Sequence, residues 1–373
     1  MKRIVCFICF FALILPINVS AVSTSAKASV VINADTNEVL YSHNADIKLS
    51  MASTTKIMTA LLLCEAGDFE KEIVVTAEML RVEGSSMGLL AGDRVRRYDL
   101  LYGMMLASGN DAANVTAYEL GGTVDGFVKL MNDKAKAIGM KNTNFETPSG
   151  LDAKEHYSTA YDMAILASFA LKNPDFKKAV SSEKATLFYG NEPYKRTLTN
   201  HNRLLKSYPY AIGVKTGFTK KSGRCLVSAA RKDGKTVIAV TLNDPNDWVD
   251  HKNLLDFGLN SIKLTEIVPK ETSYKIDVIS GVETELNVKI EPIKISYFKE
   301  NNFDSIVNLP RFLYAPIKKG EKIGSVDYIS NGEIFKTVDI LADNDIKIQT
   351  VKTSKTDNFK EKIILIFKKI WES

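Results

Sequence analysis

Three short polar strings constrain the fold of this chain more than any other feature of its sequence. In order they are Ser53-Thr54-Thr55-Lys56, Ser108-Gly109-Asn110 and Lys215-Thr216-Gly217. The first opens an apolar run typical of a buried helix, the second separates two helical patterns, and the third lies in a strand-like run. Other copies of the first two patterns occur, but only these stand in such contexts, and Lys-Thr-Gly occurs once. The sequence therefore predicts a helix start, an interhelical turn and a strand that contribute to one site.

The region from about residue 28 to 265 combines helices with strands at both of its ends. Strand-like runs at 29–32 and 39–41 are separated by a turn-forming segment. A helix-rich stretch follows, and three further strand-like runs come after it. The helical segments are 98–106, 112–120 and 125–138, and the later strand segments are 212–218, 224–230 and 236–242. We expect one antiparallel sheet that is closed by the first and last segments of this region.

The pattern changes after about residue 268. Hydrophobic and polar residues alternate at 286–291 and 345–348, and Asn331-Gly332 between two strand-like runs is a strong hairpin signal. Residues 268–350 are therefore predicted to form a small all-β domain. Residues 355–373 carry a basic amphipathic helical pattern, which favours a membrane-anchoring helix lying in the lipid interface. Packing of that helix on its own β domain is the alternative.

The first 21 residues have the features of an export signal. Lys2 and Arg3 precede an apolar stretch at 4–16, which is shorter than the roughly 20 residues that span a bilayer. Cleavage is expected after Ala21, with Ala28 as the second choice and an uncleaved anchor as the alternative. We predict an exported protein, on the outer face of the cytoplasmic membrane or secreted to the cell wall, and assign the three strings to one catalytic domain at 29–265.

The residue types in the first string suit nucleophilic catalysis. An acyl-transfer enzyme needs a nucleophile, a base, an oxyanion site and a grip on its substrate. Ser53 at a helix start is the candidate nucleophile, and Lys56 lies one turn further on the same face. Burial and a second cation, Lys215, are expected to lower the pKa of Lys56 so that it can act as the general base.

The other two strings supply candidate residues for proton relay and for binding the substrate. Ser108 can relay a proton towards the leaving nitrogen, and Asn110 can hold the substrate amide. Lys215 and Thr216 can bind a carboxylate, while Gly217 lets a substrate backbone approach the strand edge. The natural oxyanion donors are the backbone amides of Ser53 and Phe218.

These strings and their neighbours resemble the serine-type D-alanyl-D-alanine carboxypeptidases, the low-molecular-mass penicillin-binding proteins. The resemblance extends through residues 107–113, 147–152, 156–164 and 213–219. It implies a β-lactamase/transpeptidase-like catalytic domain of the α/β (α+β) class, with an antiparallel sheet between helical layers, and an all-β domain behind it. It also implies hydrolysis of the terminal D-alanine of peptidoglycan stem peptides through an acyl-serine, with β-lactams as covalent inhibitors. The implied role is in peptidoglycan and cell wall biogenesis and cell shape.

One departure from that family concerns the grip on the substrate carboxylate. Some members use an arginine after the Lys-Thr-Gly hairpin, and no counterpart stands out in the sequence. Lys215 and Thr216 are therefore expected to carry this role with less help. Endopeptidase and transpeptidase activity remain open, because they share the same acyl-enzyme.

Two other functions compete with this interpretation. A class A β-lactamase places a Glu-x-x-Leu-Asn pattern between the second and third strings, whereas residues 283–287 (E-T-E-L-N) come after the third. A catalytically silent penicillin-binding wall protein would not need a base beside its serine.

Composition and residue counts argue against nucleic-acid binding, a metal site and a disulfide. A formal charge of +5 is too mild to indicate nucleic-acid binding. The four histidines lack metallopeptidase spacing, so no metal or other cofactor is predicted. His156 and His201 are expected to be structural or loop residues, and Cys64 and Cys225 to be buried free thiols rather than a disulfide.

Overall fold

The computed structural model describes residues 22–298, 302–330 and 332–349. The chain forms two compact units, with the boundary between Lys263 and Leu264. The strands of the first unit are β1 (Ala28–Asn33), β2 (Val39–His43), β3 (Glu72–Val74), β4 (Arg94–Arg96), β5 (Lys184–Gly190), β6 (Pro193–Thr199), β7 (Ala211–Thr219), β8 (Gly223–Lys232) and β9 (Lys235–Leu242). Its helices are α1 (Lys56–Ala66), α2 (Arg97–Leu106), α3 (Asn110–Gly121), α4 (Val124–Ala137), α5 (Ala160–Ala170), α6 (Pro174–Ser181), α7 (Leu204–Ser207) and α8 (Asp247–Ser261).

A five-stranded antiparallel sheet in the order β2-β1-β9-β8-β7 is the centre of the first unit. Residue pairing within it joins the start of the unit to its end, because Val30 of β1 lies opposite Val240 of β9. The predicted closure of the sheet by the first and last segments is confirmed. Strand β7 lies at one edge, so the strand that carries the third string has a side that pairs with no other described strand.

Helices cover both faces of this sheet. On one face, Val30, Val227 and Val240 belong to a large apolar core shared with α1, α2, α3, α4 and α5. On the other face, α8 lies so close that a Cβ on its Gly258 would be 2.9 Å from Val31. The alternating sides of each strand are therefore both buried, which explains why β8 and β9 read as nearly continuous apolar runs. The expected α+β class with helical layers is confirmed.

A smaller sheet in the order β3-β4-β5-β6 completes the first unit. The two thiols expected to be free are indeed free, and both are buried. Burial raises the pKa of Cys64 and of Cys225 to about 12, so neither is a ready nucleophile.

The second unit contains only β-strands among its described residues. They are β10 (Lys263–Ile267), β11 (Ser273–Ile279), β12 (Glu285–Lys289), β13 (Ile293–Tyr297), β14 (Phe303–Asn308), β15 (Phe312–Tyr314), β16 (Lys322–Ser330) and β17 (Glu333–Leu341). Three sheets, β10-β13, β12-β11-β15 and β14-β16-β17, enclose a separate apolar core. Strands β16 and β17 pair antiparallel, as the hairpin signal predicts.

Two predicted segments lie outside the described residues. They are the export signal at 1–21 and the amphipathic helix at 355–373. Within the described part of the chain, no helix has the length and hydrophobicity needed to cross a membrane.

Candidate active site

The candidate nucleophile lies on a tight turn. Residues Ala52–Thr55 form a 3₁₀ turn that runs directly into α1, so Ser53 precedes the helix by one turn rather than opening it. Ala52 has a φ of 48°, in the left-handed region that is unfavourable for alanine. Gly150 presses against this turn, since a Cβ on it would lie 1.9 Å from the Ala52 carbonyl oxygen. The position of Ser53 is thus fixed by packing from outside the turn.

Lys56 is fully buried and contacts the nucleophile. Its Nζ donates to Ser53 Oγ at 3.0 Å, to Asn110 Oδ1 at 2.6 Å and to the Ser149 carbonyl at 2.7 Å. Burial and the positive charge of Lys215 hold the pKa of Lys56 well below its usual range, against a smaller opposing effect of Asp111. The direction and both causes agree with the sequence prediction. In its neutral form, Lys56 can accept the hydroxyl proton of Ser53.

A second serine–lysine pair faces the first. Ser108 occupies the turn between α2 and α3 with a φ of 57°, and its Oγ accepts from Lys215 Nζ at 3.0 Å. Lys215 also donates to the Thr216 carbonyl at 2.9 Å. Burial lowers the pKa of Lys215 to about 7. The second and third strings are therefore linked by one hydrogen bond, in a place where a proton can move between serine and lysine.

The Asn110 side chain is engaged at both ends. Its Oδ1 accepts from Lys56, and its Nδ2 donates to the Glu83 carbonyl at 2.6 Å. In the structure the Asn110 amide bonds the lysine and the loop at Glu83, a contact that the sequence did not predict. The sequence could not reveal this because Glu83 belongs to a loop far from the three strings. The predicted hold on a substrate amide stays a prediction, since the second Nδ2 hydrogen is not used by these bonds.

Strand β7 brings the third string against the nucleophile. A Cβ on Gly217 would lie 3.0 Å from the Ser53 amide nitrogen and 3.1 Å from the Cβ of Ala52. The glycine therefore makes room for the nucleophile turn, in addition to the expected approach of a substrate backbone. Because β7 is an edge strand, an extended peptide can add alongside it.

A cavity of about 310 Å³ opens above these groups. Its wall includes Ser53, Ser108, Thr216, Gly217 and Phe218 from the strings and their immediate neighbour. All three strings thus meet in one cleft. Lys56 and Lys215 are buried at its base, hydrogen-bonded to the serines that line it.

Comparison with known proteins decides the family. Residues 16–246 match the peptidase S11 family model, described as D-alanyl-D-alanine carboxypeptidase, and residues 263–348 match the model for the C-terminal domain of penicillin-binding protein 5. The chain belongs to the D-alanyl-D-alanine carboxypeptidase family. It is a serine-type carboxypeptidase, and the β-lactamase and silent-protein alternatives are not favoured.

Individual relatives agree along most of the chain. The carboxypeptidase is 34% identical over 343 residues to D-alanyl-D-alanine carboxypeptidase DacF of Bacillus subtilis, covering 88% of this chain and 87% of the relative. It is 33% identical to D-alanyl-D-alanine carboxypeptidase DacC of Escherichia coli, covering 84% and 82%. Penicillin-binding protein 5 from Haemophilus influenzae aligns with a TM-score of 0.65 at 26% identity, covering 88% and 99%.

The wall of the cleft also contains residues that the sequence analysis missed. They are Ser85, His201, Arg203, Arg224, Asp247 and Trp248. His201 lies in a loop, as expected, and this loop lines the cleft of the carboxypeptidase. His156 is structural and bonds Thr55 Oγ1 at 2.9 Å.

Two arginines that the sequence analysis did not single out lie in the cleft wall beside the third string. Arg224 of β8 lies opposite Phe218 across the hairpin, and its Nη2 donates to both carboxylate oxygens of Asp247 at 2.7 and 2.8 Å. Arg224 and Arg203 place their guanidinium carbons 5.6 and 5.8 Å from the centre of the Trp248 ring. The hairpin register was the available signal for Arg224, but Arg203 enters the cleft only through the tertiary fold.

Proposed function

We propose that the carboxypeptidase releases the terminal D-alanine of peptidoglycan stem peptides through an ester of Ser53. The proposal is carried by the two hydrogen-bonded serine–lysine pairs that meet beside the edge strand. An extended peptide adds along β7, and its terminal carboxylate is held by Thr216 and Lys215. Arg203 in the cleft wall adds positive potential, whereas the charge of Arg224 is paired with Asp247.

Acylation begins with proton transfer from Ser53 to neutral Lys56. The Ser53 oxygen attacks the carbonyl carbon of the penultimate residue, and the backbone amides of Ser53 and Phe218 stabilise the resulting oxyanion. Collapse of this intermediate breaks the peptide bond. The leaving nitrogen receives its proton through Ser108 from the lysines, and D-alanine departs with a neutral amine.

Hydrolysis of the ester reverses these roles. Water attacks the acyl carbon and gives up one proton to neutral Lys56, and Ser53 leaves as the alkoxide that takes this proton back. The net change is one water consumed and one peptide bond cleaved. Because only neutral Lys56 can act as base, acylation should fall as the pH drops through the lowered pKa of this lysine.

Fluorescent penicillin, intact mass and D-alanine release test this proposal on the chain from Val22. We expect a covalent adduct on Ser53, none on Ser53→Ala, and D-alanine release from a D-Ala-D-Ala peptide. Rapid penicillin turnover without D-alanine release would instead indicate a β-lactamase. Cleavage of cross-linked dimers, or dimer formation with an amine acceptor, would reveal endopeptidase or transpeptidase activity.

We also propose export with cleavage after Ala21 and membrane anchoring by residues 355–373. Residues that follow the first cleavage site are tied into the fold, since Ser25 Oγ donates to Asp244 at 2.7 Å and Asp250 at 2.8 Å. Cleavage after Ala28 would remove these contacts and the first residue of β1. The basic amphipathic pattern of the last segment supports the anchor.

A further inference from the structure

The loop at residues 83–89 decides which end of the Asn110 amide faces the catalytic lysine. The Ser85 carbonyl accepts from the Asn110 backbone nitrogen at 2.7 Å, and the Glu83 carbonyl accepts from Asn110 Nδ2 at 2.6 Å. A carbonyl can only accept, so it must face the NH₂ end of an asparagine amide. The oxygen end is thereby directed to Lys56 Nζ, 2.6 Å away.

The same loop is held from two sides at its Met87–Gly88 peptide. On one side, Asp111 accepts from the backbone nitrogens of Met87, Gly88 and Leu89 at 3.0, 3.1 and 3.1 Å. On the other side, the Met87 carbonyl accepts from Tyr189 Oη at 2.6 Å. The loop therefore depends on side chains from two different elements.

Arg196 of the β5–β6 hairpin completes this second side. Its Nη1 donates to the Gly88 carbonyl at 2.7 Å. Its guanidinium carbon lies 4.3 Å from the centre of the Tyr189 ring and 4.1 Å from that of Tyr194, so the cation lies over both aromatic rings. A Cβ on Gly88 would lie 2.9 Å from this Nη1, which shows how closely the loop backbone approaches.

The surroundings of Arg196 differ from those of an ordinary surface arginine. Within the described residues no carboxylate forms an ion pair with it, whereas Arg94 in the same sheet pairs with Glu72 at 2.8 Å. The Nε of Arg196 is buried without a hydrogen-bond partner. A guanidinium in this position loses water contacts and regains only loop carbonyls and aromatic faces. The hydrogen bonds that its side chain donates both go to carbonyls of the loop, those of Met87 and Gly88.

We propose that Arg196 is a positioning residue for acylation, acting on Lys56 through the 83–89 loop and Asn110. This inference rests on the proposed role of Lys56 as base. Loss of the Arg196 clamp removes the hydrogen bond to the Gly88 carbonyl and leaves this side of the loop held by Tyr189 alone. Glu83 can then shift relative to Asn110, so the Asn110 oxygen is directed less accurately at Lys56. Small displacements remote from the reacting atoms can cost about 100-fold in rate, so a loss of about tenfold or more is expected.

The test compares Arg196→Met with Arg94→Met, a matched exposed arginine of the same sheet, in the chain from Val22. For Arg196→Met we expect kcat for D-alanine release to fall about tenfold or more with KM within about twofold. Arg196→Lys should recover part of this loss, because an ammonium still attracts the tyrosine rings and can donate to Gly88, although it cannot stack as a planar guanidinium does. Arg94→Met should behave as the parent. A melting temperature that falls while kcat is kept, or a rise in KM alone, would overturn the proposal.

A double-mutant cycle identifies the route. Once Asn110 is replaced by alanine, the loop has no amide left to orient, so Arg196→Met should add little to the effect of Asn110→Ala. Full additivity would overturn the proposed route. Lys56→Ala separates the two levels of inference: normal acylation by this variant refutes the base assignment, whereas its inactivity beside a fully active Arg196→Met refutes only the role of Arg196.

Discussion

Replacement of Gly217 by alanine tests directly how the site is assembled. The added methyl group would lie 3.0 Å from the Ser53 nitrogen, 3.1 Å from the Ala52 Cβ and 3.1 Å from the Thr54 nitrogen. Contacts this short force β7 and the nucleophile turn apart by a few tenths of an ångström. The two proposed oxyanion donors, the amides of Ser53 and Phe218, lie on opposite sides of this contact and would separate with it.

The expected magnitude follows from the value of an oxyanion donor. Losing one such donor costs about 3–4 kcal/mol of transition-state stabilisation, which corresponds to about 100-fold to 1000-fold in rate. We therefore expect Gly217→Ala to acylate about 100-fold more slowly with fluorescent penicillin. Gly217 has no left-handed φ, so alanine fits its backbone and reduces the entropy of the unfolded chain, a gain of about 0.4–1 kcal/mol that offsets the crowding. The melting temperature should change little.

Gly92→Ala is the matched control. Gly92 has a φ of 92° and no neighbouring atom within 4 Å of an added Cβ, so alanine strains the backbone without crowding the cleft. It should lose about 1–2 kcal/mol of stability and acylate normally. Acylation by Gly217→Ala within about threefold of the parent, or a loss that merely tracks its melting temperature, would refute the reasoning.

Three further predictions concern pH, the start of the mature chain and its end. Burial lowers the pKa of His251 to about 3 in the folded state, against about 6.5 in the unfolded chain, so stability should decline as the pH falls from about 6.5 towards 3. In His251→Gln the urea midpoint should depend less on pH over that range, and an unchanged pH dependence would contradict this. A chain starting at Ser29 should melt several degrees below one starting at Val22, because it lacks the Ser25 contacts; equal melting would count against cleavage after Ala21. Deleting 355–373 should abolish vesicle flotation without altering penicillin acylation, and continued flotation would rule out the anchor.

Local sequence patterns were sufficient for much of the fold. The predicted segments correspond to β1, β2, α2, α3, α4, β7, β8 and β9, with ends that move by up to two residues. Their periodicities are properties of neighbouring residues, so one sequence reveals them. The alternation predicted from residue 286 onward also agrees with β12, which alternates exposed and buried side chains and holds no cleft residue.

The Ser53–Lys56 pair was likewise predictable, because the two residues are separated by one helical turn. The lowered pKa of Lys56 follows from burial, which the surrounding apolar run already indicates. The hydrogen bond between Ser108 and Lys215, and the lowered pKa of Lys215, were not predicted. Local sequence patterns thus indicate the candidate base, the candidate nucleophile and the edge strand, and the order of the three strings indicates the class of chemistry.

Only the tertiary structure determined what surrounds these groups. Asn110 orients Lys56 because a carbonyl from a distant loop, at Glu83, meets its amide. Arg203 reaches the cleft wall, and Arg196 clasps Gly88, through contacts between segments far apart in the chain. Neither contact produces a periodic pattern in the sequence, because each depends on how two distant loops or hairpins pack in the folded protein. The sequence by itself determined the reacting groups, and the packing of remote segments determined how those groups are held.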